Sequence, residues 1–287
     1  MAEEIDFVNF FDLYRCFMSG FIIDIQGIIF KGDEFIPEAK QFMDHLNSEK
    51  KQVYLLSNST RITTKQTINQ LKSAGIEIQD SNVITGSKII VNAMKQENIK
   101  HILLLGTDDL CNEVAESGIA VDKGNSLGSA HAEAYKLNDK VEAVVVAEDL
   151  SFNFVHASIV ARYVLEKKVK FFCVGYDRVF PSKGDNFVPG ALTLATPSET
   201  ASYVSPTIIG KPNTSSFINL IPNHETEKYI VVGDNTETDI AFANKLGWKS
   251  VLVYTGVTKQ KDEIKPENKP TLSVENLSEL LQKLSTL

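Results

Sequence analysis

Residues 21–27 read Phe-Ile-Ile-Asp-Ile-Gln-Gly, and this stretch decides the fold class because an apolar run ends directly at a carboxylate. Consecutive apolar residues predict a strand that is covered on both faces, as helices cover a parallel sheet. Ligands of open parallel sheets bind beyond the carboxyl ends of the strands. The stretch therefore predicts an inner strand that carries Asp24 to a binding site.

The rest of the chain repeats this pattern, with short β-branched runs alternating with longer segments of helical period. The predicted strands are Phe21–Ile25, Val53–Leu56, His101–Leu105, Ala143–Ala147, Val169–Val174, Tyr229–Val232 and Ser250–Val253. The predicted helices are Pro37–Ser48, Thr63–Ala74, Ser87–Glu97, Asp108–Ser117, Phe154–Glu166 and Thr236–Leu246, with a last one from Val274. Asp122–Asn138 and Ser182–Asn186 are predicted to be a loop and a turn because they are rich in polar and turn-forming residues. The alternation is typical of an α/β fold with a parallel sheet.

The composition is that of an ordinary globular protein, with 287 residues, 43% of them hydrophobic, and a formal net charge of −8. The length exceeds what one hydrophobic core usually fills, which predicts two domains or one domain with a large insertion. The acidic balance argues against nucleic-acid partners and against an anionic membrane surface, since both need clustered Lys and Arg. No apolar run approaches the length of a membrane span.

The first residues and the cysteines indicate a cytoplasmic protein. Glu3 and Glu4 make the start of the chain acidic where a secretory signal would be basic. The three cysteines, Cys16, Cys111 and Cys173, lie far apart and show no Cys-x-x-Cys spacing. Structural disulfides and cysteine-bound zinc are therefore not expected, and a reducing compartment fits best.

Polar residues with one shared chemistry follow the predicted strands. These groups are Asp24, Ser57-Asn58-Ser59-Thr60, Gly210-Lys211-Pro212 and Gly233–Asp239. Two or three carboxylates suit Mg²⁺, and a hydroxyl, an amide and an ammonium suit phosphoryl oxygens. A carboxylate held against a phosphoryl group can also attack phosphorus and form an aspartyl phosphate. Each group alone could be only a turn, a helix cap or a surface lysine, but their order at strand ends predicts one site.

These motifs resemble those of the haloacid dehalogenase superfamily, in the branch of the 4-nitrophenylphosphatases and phosphoglycolate phosphatases. The superfamily's first motif, Asp-x-Asp-Gly, reads Asp24-Ile25-Gln26-Gly27 here, and its second is met by Ser57-Asn58. Its Gly-Lys-Pro motif stands intact at 210–212, and Gly-Asp-x-x-x-Thr-Asp stands intact at 233–239.

The resemblance implies a Rossmann-like, doubly wound core with an inserted α/β cap that selects the substrate. The core would comprise residues 1–97 and 205–287, and the cap residues 98–204. A small phosphorylated metabolite is the implied substrate, Mg²⁺ the implied cofactor, and a homodimer through the cap the implied assembly.

The resemblance also implies a role for each matching residue. Asp24 would be the nucleophile and a metal ligand, Asp234 and Asp239 would hold the metal, and residue 26 would add its backbone carbonyl. Ser57, Asn58, Ser59 and Lys211 would hold the phosphoryl group. In the cap, Tyr176 and Asp177 stand where relatives carry a substrate-binding stretch, although a plain loop explains them equally well.

One departure from the superfamily pattern concerns the mechanism. The second aspartate of the first motif works as general acid and base in relatives, and here it is Gln26. A carboxamide has no titratable proton near neutral pH, and losing general acid–base catalysis costs about 10²–10⁴ in rate. The sequence therefore predicts an attenuated phosphatase. The alternative is a pseudophosphatase that binds a phosphorylated ligand or a protein partner.

Overall fold

The computed structural model describes residues 20–124, 134–181, 187–225 and 228–285. Its strands are β1 (Gly20–Asp24), β2 (Phe30–Lys31), β3 (Glu34–Phe35), β4 (Gln52–Leu56), β5 (Val83–Ile84), β6 (His101–Leu105), β7 (Ala120–Lys123), β8 (Ala143–Val146), β9 (Lys170–Val174), β10 (Val179–Pro181), β11 (Phe187–Pro189), β12 (Thr207–Ile209), β13 (Tyr229–Gly233), β14 (Lys249–Val253) and β15 (Leu272–Val274). Its α-helices are α1 (Pro37–Ser48), α2 (Thr64–Ser73), α3 (Gly86–Gln96), α4 (Asp108–Glu116), α5 (Phe154–Arg162), α6 (Ala191–Ser202), α7 (Ala241–Leu246) and α8 (Leu277–Ser285).

Short helical turns complete the described elements. The π-helical turn Tyr163–Lys167 extends α5, and the π-helical turn Thr236–Ile240 leads into α7. Turns of 3₁₀-helix lie at Asp80–Asn82, Ile218–Leu220 and Pro266–Asn268. The predicted turn at Ser182–Asn186 lies outside the described residues, as do residues 125–133 of the predicted loop.

The first sheet has the strand order β15-β14-β13-β1-β4-β5, and its described pairings are parallel. Ile22 on the central strand β1 lies between Tyr54 on β4 and Val231 on β13. The chain order runs in opposite directions on the two sides of β1. A crevice therefore forms beyond the carboxyl ends of β1 and β13, which is where such sheets bind ligands.

Helices cover both faces of this sheet, as the continuous apolar runs predict. Phe21 and Ile23 face the hydrophobic cluster to which α1 and α8 contribute Phe42 and Leu280. Ile22 faces the opposite cluster, to which α7 contributes Phe242. Because neighbouring residues of one strand point to opposite faces, β1 is buried on both sides. The α/β fold with a doubly wound parallel sheet is confirmed.

The second sheet has the order β12-β9-β8-β6-β7, again with parallel pairings. Its strands come from the segment between β5 and β13, so the sheet is an insertion into the first unit. Helix α3 lies between the two sheets, because one cluster joins its Ile90 to Tyr54 of the first sheet and Phe172 of the second.

The strand pairing carries this second sheet beyond the predicted end of the insert at residue 204. Ile209 at the end of β12 pairs with Val174, so the chain returns to the first unit only at Gly210. The first predicted boundary, between residues 97 and 98, falls just before β6. Of the described helices, none is long and apolar enough to cross a membrane.

Candidate active site

Three carboxylates meet where the first sheet meets the insert. Asp24 ends β1, Asp234 follows β13, and Asp239 lies in the π-helical turn before α7. Each can offer one oxygen such that the three oxygens lie within 4.8 Å of one another. Asp234 and Asp239 are buried, with 3% and 1% of their surfaces exposed. The arrangement brings together residues more than 200 positions apart in sequence, as their places at strand ends predict.

Two glycines make room for the Asp234 carboxylate. A Cβ on Gly256 would lie 1.8 Å from Asp234 Oδ2, and a Cβ on Gly27 would lie 2.3 Å from Asp234 Cγ. Gly27 also has a φ of +82°, a conformation that side-chain-bearing residues rarely adopt. The backbone N–H of Val257 donates to Asp234 Oδ2 over 2.5 Å. The Asp234 carboxylate can therefore take this position only because Gly27 and Gly256, its neighbours in space, have no side chains.

Lys211 is the cation of the cluster. Its Nζ donates to Asp24 Oδ1 and Asp239 Oδ1, each over 2.7 Å, and to the carbonyl of Leu56 over 3.1 Å. Burial lowers the pKa of Lys211, but the adjacent carboxylates of Asp239 and Asp24 outweigh burial and raise its pKa overall. Lys211 is therefore held as an ammonium ion between two of the three carboxylates.

The charges of this cluster do not balance. Three carboxylates and one ammonium leave two negative charges in a buried space. Burial raises the pKa of Asp24 to about 7, a rise that Lys211 opposes and Asp239 reinforces. Burial, with Asp239 and Asp24 nearby, raises the pKa of Asp234 well above its usual range. A divalent cation bound by these carboxylates would supply the missing positive charge, and an all-oxygen donor set suits Mg²⁺.

Asn58 contacts the backbone of Lys211 with both ends of its amide. Asn58 Oδ1 accepts from Lys211 N over 2.8 Å, and Asn58 Nδ2 donates to the carbonyl of Lys211 over 2.9 Å. Nδ2 also approaches Asp177 Oδ2 at 3.3 Å. The Asn58 side chain, predicted to hold the phosphoryl group, lines the cavity and also positions the lysine. Ser57 and Ser59 line the cavity, and Ser57 Oγ accepts from Ser59 N over 3.1 Å.

Asp24, Asp234 and Lys211 border a cavity of about 230 Å³ between the first sheet and the insert. Gln26 lines this cavity together with Asp24, so a carboxamide stands where the resemblance implies a proton carrier. Apolar side chains also line it, namely Ile62, Leu150, Val174, Val179 and Ala191. The cavity can therefore take a phosphoryl group beside the carboxylates and an organic group beside the insert.

The insert contributes two carboxylates to this cavity, Asp177 and Glu148. Asp177 Oδ1 is 3.4 Å from Asn235 Nδ2, so the carboxylate is held between Asn58 and Asn235. Tyr176 does not line the cavity, and its ring lies 5.9 Å from the guanidinium of Arg178. Of the two residues predicted in this loop, the cavity contains only Asp177.

Glu148 was not predicted from the sequence. Its Oε2 accepts from Ser59 Oγ over 2.9 Å, from Thr60 N over 2.7 Å and from Thr60 Oγ1 over 3.3 Å. Its own N–H donates to Thr60 Oγ1 over 2.9 Å. The available signal in the sequence was its place two residues after the apolar strand β8, at the carboxyl edge of the second sheet. Glu148 thus joins the insert to the loop that follows β4.

Comparisons with known proteins agree with this geometry. Residues 21–120 match a family described as haloacid dehalogenase-like hydrolase, and residues 208–280 match one described as HAD-hydrolase-like. A 4-nitrophenylphosphatase of Schizosaccharomyces pombe is 25% identical, over 98% of this chain and 96% of its own. A solved structure from Pyrococcus horikoshii is 26% identical with a TM-score of 0.79, covering 93% of this chain and all of its own.

A further solved structure is a glycerol phosphate phosphatase of Mycobacterium tuberculosis in complex with magnesium. It shares the fold with a TM-score of 0.75 at 22% identity, over 92% of this chain and 76% of its own. The two family matches contain the loops that carry Asp24, Ser57, Lys211 and Asp234. From these matches and the geometry of those loops, the chain belongs to the haloacid dehalogenase superfamily of hydrolases, in the branch of the 4-nitrophenylphosphatases.

Proposed function

We propose that the protein is a Mg²⁺-dependent phosphatase that hydrolyses phosphomonoesters through an aspartyl phosphate on Asp24. The observation that carries the proposal is the buried cluster of Asp24, Asp234 and Asp239 with a single ammonium from Lys211. This cluster provides a nucleophile, the ligands for a divalent cation and a cation for phosphoryl oxygens. Phosphoryl transfer depends mainly on such positioning and charge stabilisation.

Asp24, Asp234 and the backbone carbonyl of Gln26 would hold the Mg²⁺ ion, and Asp239 would bind or orient its water. When bound, the ion would offset the negative charge of the carboxylates and of the phosphoryl oxygens. Lys211 donates to Asp24 and Asp239, which holds its ammonium beside the nucleophile where phosphoryl oxygens would lie. The Ser57 hydroxyl faces the same cavity and would donate to one of these oxygens.

Attenuated turnover is part of the proposal. Gln26 can hydrogen-bond but cannot protonate a leaving oxygen or deprotonate water. The rate of the first step therefore falls least for substrates whose leaving groups need no proton, such as acyl and aryl phosphates. Hydrolysis of the intermediate slows for every substrate, so phosphorylated Asp24 accumulates.

Gln26 also supports the second candidate function, a pseudophosphatase that binds a phosphorylated ligand without turnover. Retention of the whole carboxylate and lysine cluster favours the enzyme, because a binding module does not need a nucleophile. The homodimer through the insert stays a prediction.

A phosphatase assay on three forms of the protein tests the proposal. Wild type, Gln26→Asp and Asp24→Asn are compared on 4-nitrophenyl phosphate, with Mg²⁺ and with EDTA. We expect turnover in the first two forms only, faster in Gln26→Asp, and none with EDTA. Activity in Gln26→Asp alone would establish the pseudophosphatase, whereas equal activity in Asp24→Asn would refute the nucleophile.

Mass spectrometry of the intact protein tests the intermediate directly. After incubation with acetyl phosphate and Mg²⁺, we expect wild type to gain the mass of one phosphoryl group. Asp24→Asn is the control and should gain none. Absence of the adduct from wild type at short and long times, with turnover present, would contradict an accumulating intermediate.

A further inference from the structure

Resting on the proposed function, we infer that Asp177 of the insert takes over part of the proton transfer that a carboxylate at position 26 performs in relatives, so that hydrolysis by wild type is slow rather than abolished. The inference begins with the direction of the reaction. In-line transfer places the leaving oxygen opposite the nucleophile. Asp24 approaches from the carboxyl end of β1, so the leaving oxygen faces the part of the cavity formed by the insert.

Few acidic groups lie in that part of the cavity. Among the described lining residues, the carboxylates outside the Asp24 and Asp234 pair are Asp33, Glu148 and Asp177. Asp33 is exposed on the turn between β2 and β3. The Glu148 carboxylate is engaged by the loop at Ser59 and Thr60, because its Oε2 accepts three hydrogen bonds from that loop. Asp177 is the remaining carboxylate.

The contacts of Asp177 suit proton transfer. Its two oxygens have one amide partner each, Asn58 Nδ2 at 3.3 Å and Asn235 Nδ2 at 3.4 Å. Both contacts lie at the outer limit of hydrogen-bond length, so each oxygen retains capacity for a substrate or water. The two asparagines also fix the carboxylate between the loop that carries Ser57 and the loop that carries Asp234.

The charges around Asp177 support this role. Burial raises its pKa to about 6, Lys211 and Asn58 oppose the rise, and Asp239 and Glu148 add to it. A group with a pKa near the working pH is present in both protonation states, as general acid–base catalysis needs. With Asn235, these residues are the groups of the core and of the insert that act on the Asp177 carboxylate.

The two chemical steps balance with one proton. In the first step, an Asp24 oxygen forms a bond to phosphorus, the bond from phosphorus to the leaving oxygen breaks, and the Asp177 proton passes to that oxygen. In the second step, water attacks phosphorus from the vacated side and gives its proton to the Asp177 carboxylate. The bond from phosphorus to Asp24 breaks, which releases phosphate and restores both carboxyl groups.

Leaving-group dependence distinguishes this role from a structural one. In Asp177→Asn, we expect turnover of the alkyl ester β-glycerophosphate to fall by about 10²-fold or more, because an alkoxide leaves poorly without a proton. With 4-nitrophenyl phosphate, we expect Asp177→Asn to keep a rapid burst of about one nitrophenolate per protein and then to turn over more slowly than wild type does after its burst. The burst arises because the first step needs no proton from Asp177 and the second still does.

The increase in alkyl phosphate turnover caused by Gln26→Asp is the second test of whether Asp177 carries the proton. A carboxylate at position 26 should raise alkyl phosphate turnover by a larger factor in Asp177→Asn than in wild type, because it restores the lost function. Arg178→Gln is the matched control. Arg178 is an exposed neighbour in the same loop, so its replacement should leave the turnover of both substrates unchanged. If Asp177→Asn does not fold, Asp177→Ser is judged by the same two criteria.

Equal losses on both substrates without a burst would overturn the inference, and so would equal gains from Gln26→Asp in the two backgrounds. Either result would leave the proposed function intact if wild type still turns over and Asp24→Asn does not. Different results would contradict the proposed function itself. These are hydrolysis by Asp24→Asn, or no hydrolysis by wild type.

Discussion

Replacing Asn58 tests whether this side chain positions Lys211 or binds the substrate. In Asn58→Ala, Lys211 N loses an acceptor at 2.8 Å and the Lys211 carbonyl loses a donor at 2.9 Å. Lys211 is 3% exposed, so water does not readily replace these partners. Each buried backbone group left without a partner costs about 1–3 kcal/mol, so the free energy of unfolding should fall by roughly 2–6 kcal/mol.

Thermal melting of the metal-free protein is the assay, because it contains no phosphate to bind. At roughly 2–4 °C per kcal/mol for a protein of this size, we expect Tm to fall by about 4–24 °C. Asn82→Ala is the matched control, since Asn82 Nδ2 donates to the carbonyl of the buried residue Val53 over 3.0 Å and neither residue lines the cavity. The control should also lower Tm but keep Mg²⁺ binding and turnover. An unchanged Tm for Asn58→Ala, with weaker phosphate binding, would refute the positioning role.

Four further predictions concern the metal, the insert and the pH. Gly256→Ala should weaken Mg²⁺ binding at least tenfold by calorimetry, because its Cβ would lie 1.8 Å from Asp234 Oδ2; equal affinity would contradict the packing. Glu148→Ala should speed amide hydrogen exchange at Thr60 by about tenfold or more, because the Thr60 N–H loses Glu148 Oε2, its acceptor at 2.7 Å. An unchanged exchange rate would refute this role of Glu148. Burial raises the pKa of Asp24 to about 7, so its folded form binds more protons than its unfolded form, and the free energy of unfolding of the metal-free protein should fall as the pH rises from about 4 to about 7. Protons compete with the metal, so Mg²⁺ should bind more weakly at pH 6 than at pH 8, and a flat calorimetric profile would contradict this.

Much of the fold was predictable because buried parallel strands are continuous apolar runs. The run at 21–25 predicts β1, and the run at 143–147 predicts β8, each within one residue of its bounds. Helix α6 (Ala191–Ser202) was not predicted, since it contains Pro197 and has several threonines in place of a clear apolar period. The two-residue strand β5 is too short for any periodicity, and only pairing with β4 defines it.

The site was predictable where a residue's chemistry and its strand fix its place together. Asp24 and Asp234 end neighbouring strands, so their meeting follows from sheet topology. The orientation of the Asn58 side chain does not follow from sheet topology, because an amide can donate equally well to a phosphate or to a backbone carbonyl. The contact of Glu148 with Thr60 joins residues 88 positions apart on two units, and only the packing of the insert against the core determines it.

The distribution of charge between the two units bears on why Gln26 is tolerated. A second carboxylate at position 26 would add negative charge to a cluster that already has two such charges in excess, whereas a carboxamide adds none. Asp177 lies on the insert, with Asn58 and Asn235 between it and the Lys211–Asp234 cluster. A proton carrier there acts from the side on which the leaving group lies. Substrate selection and proton transfer then reside on the same inserted unit, so a change in the insert can alter both together.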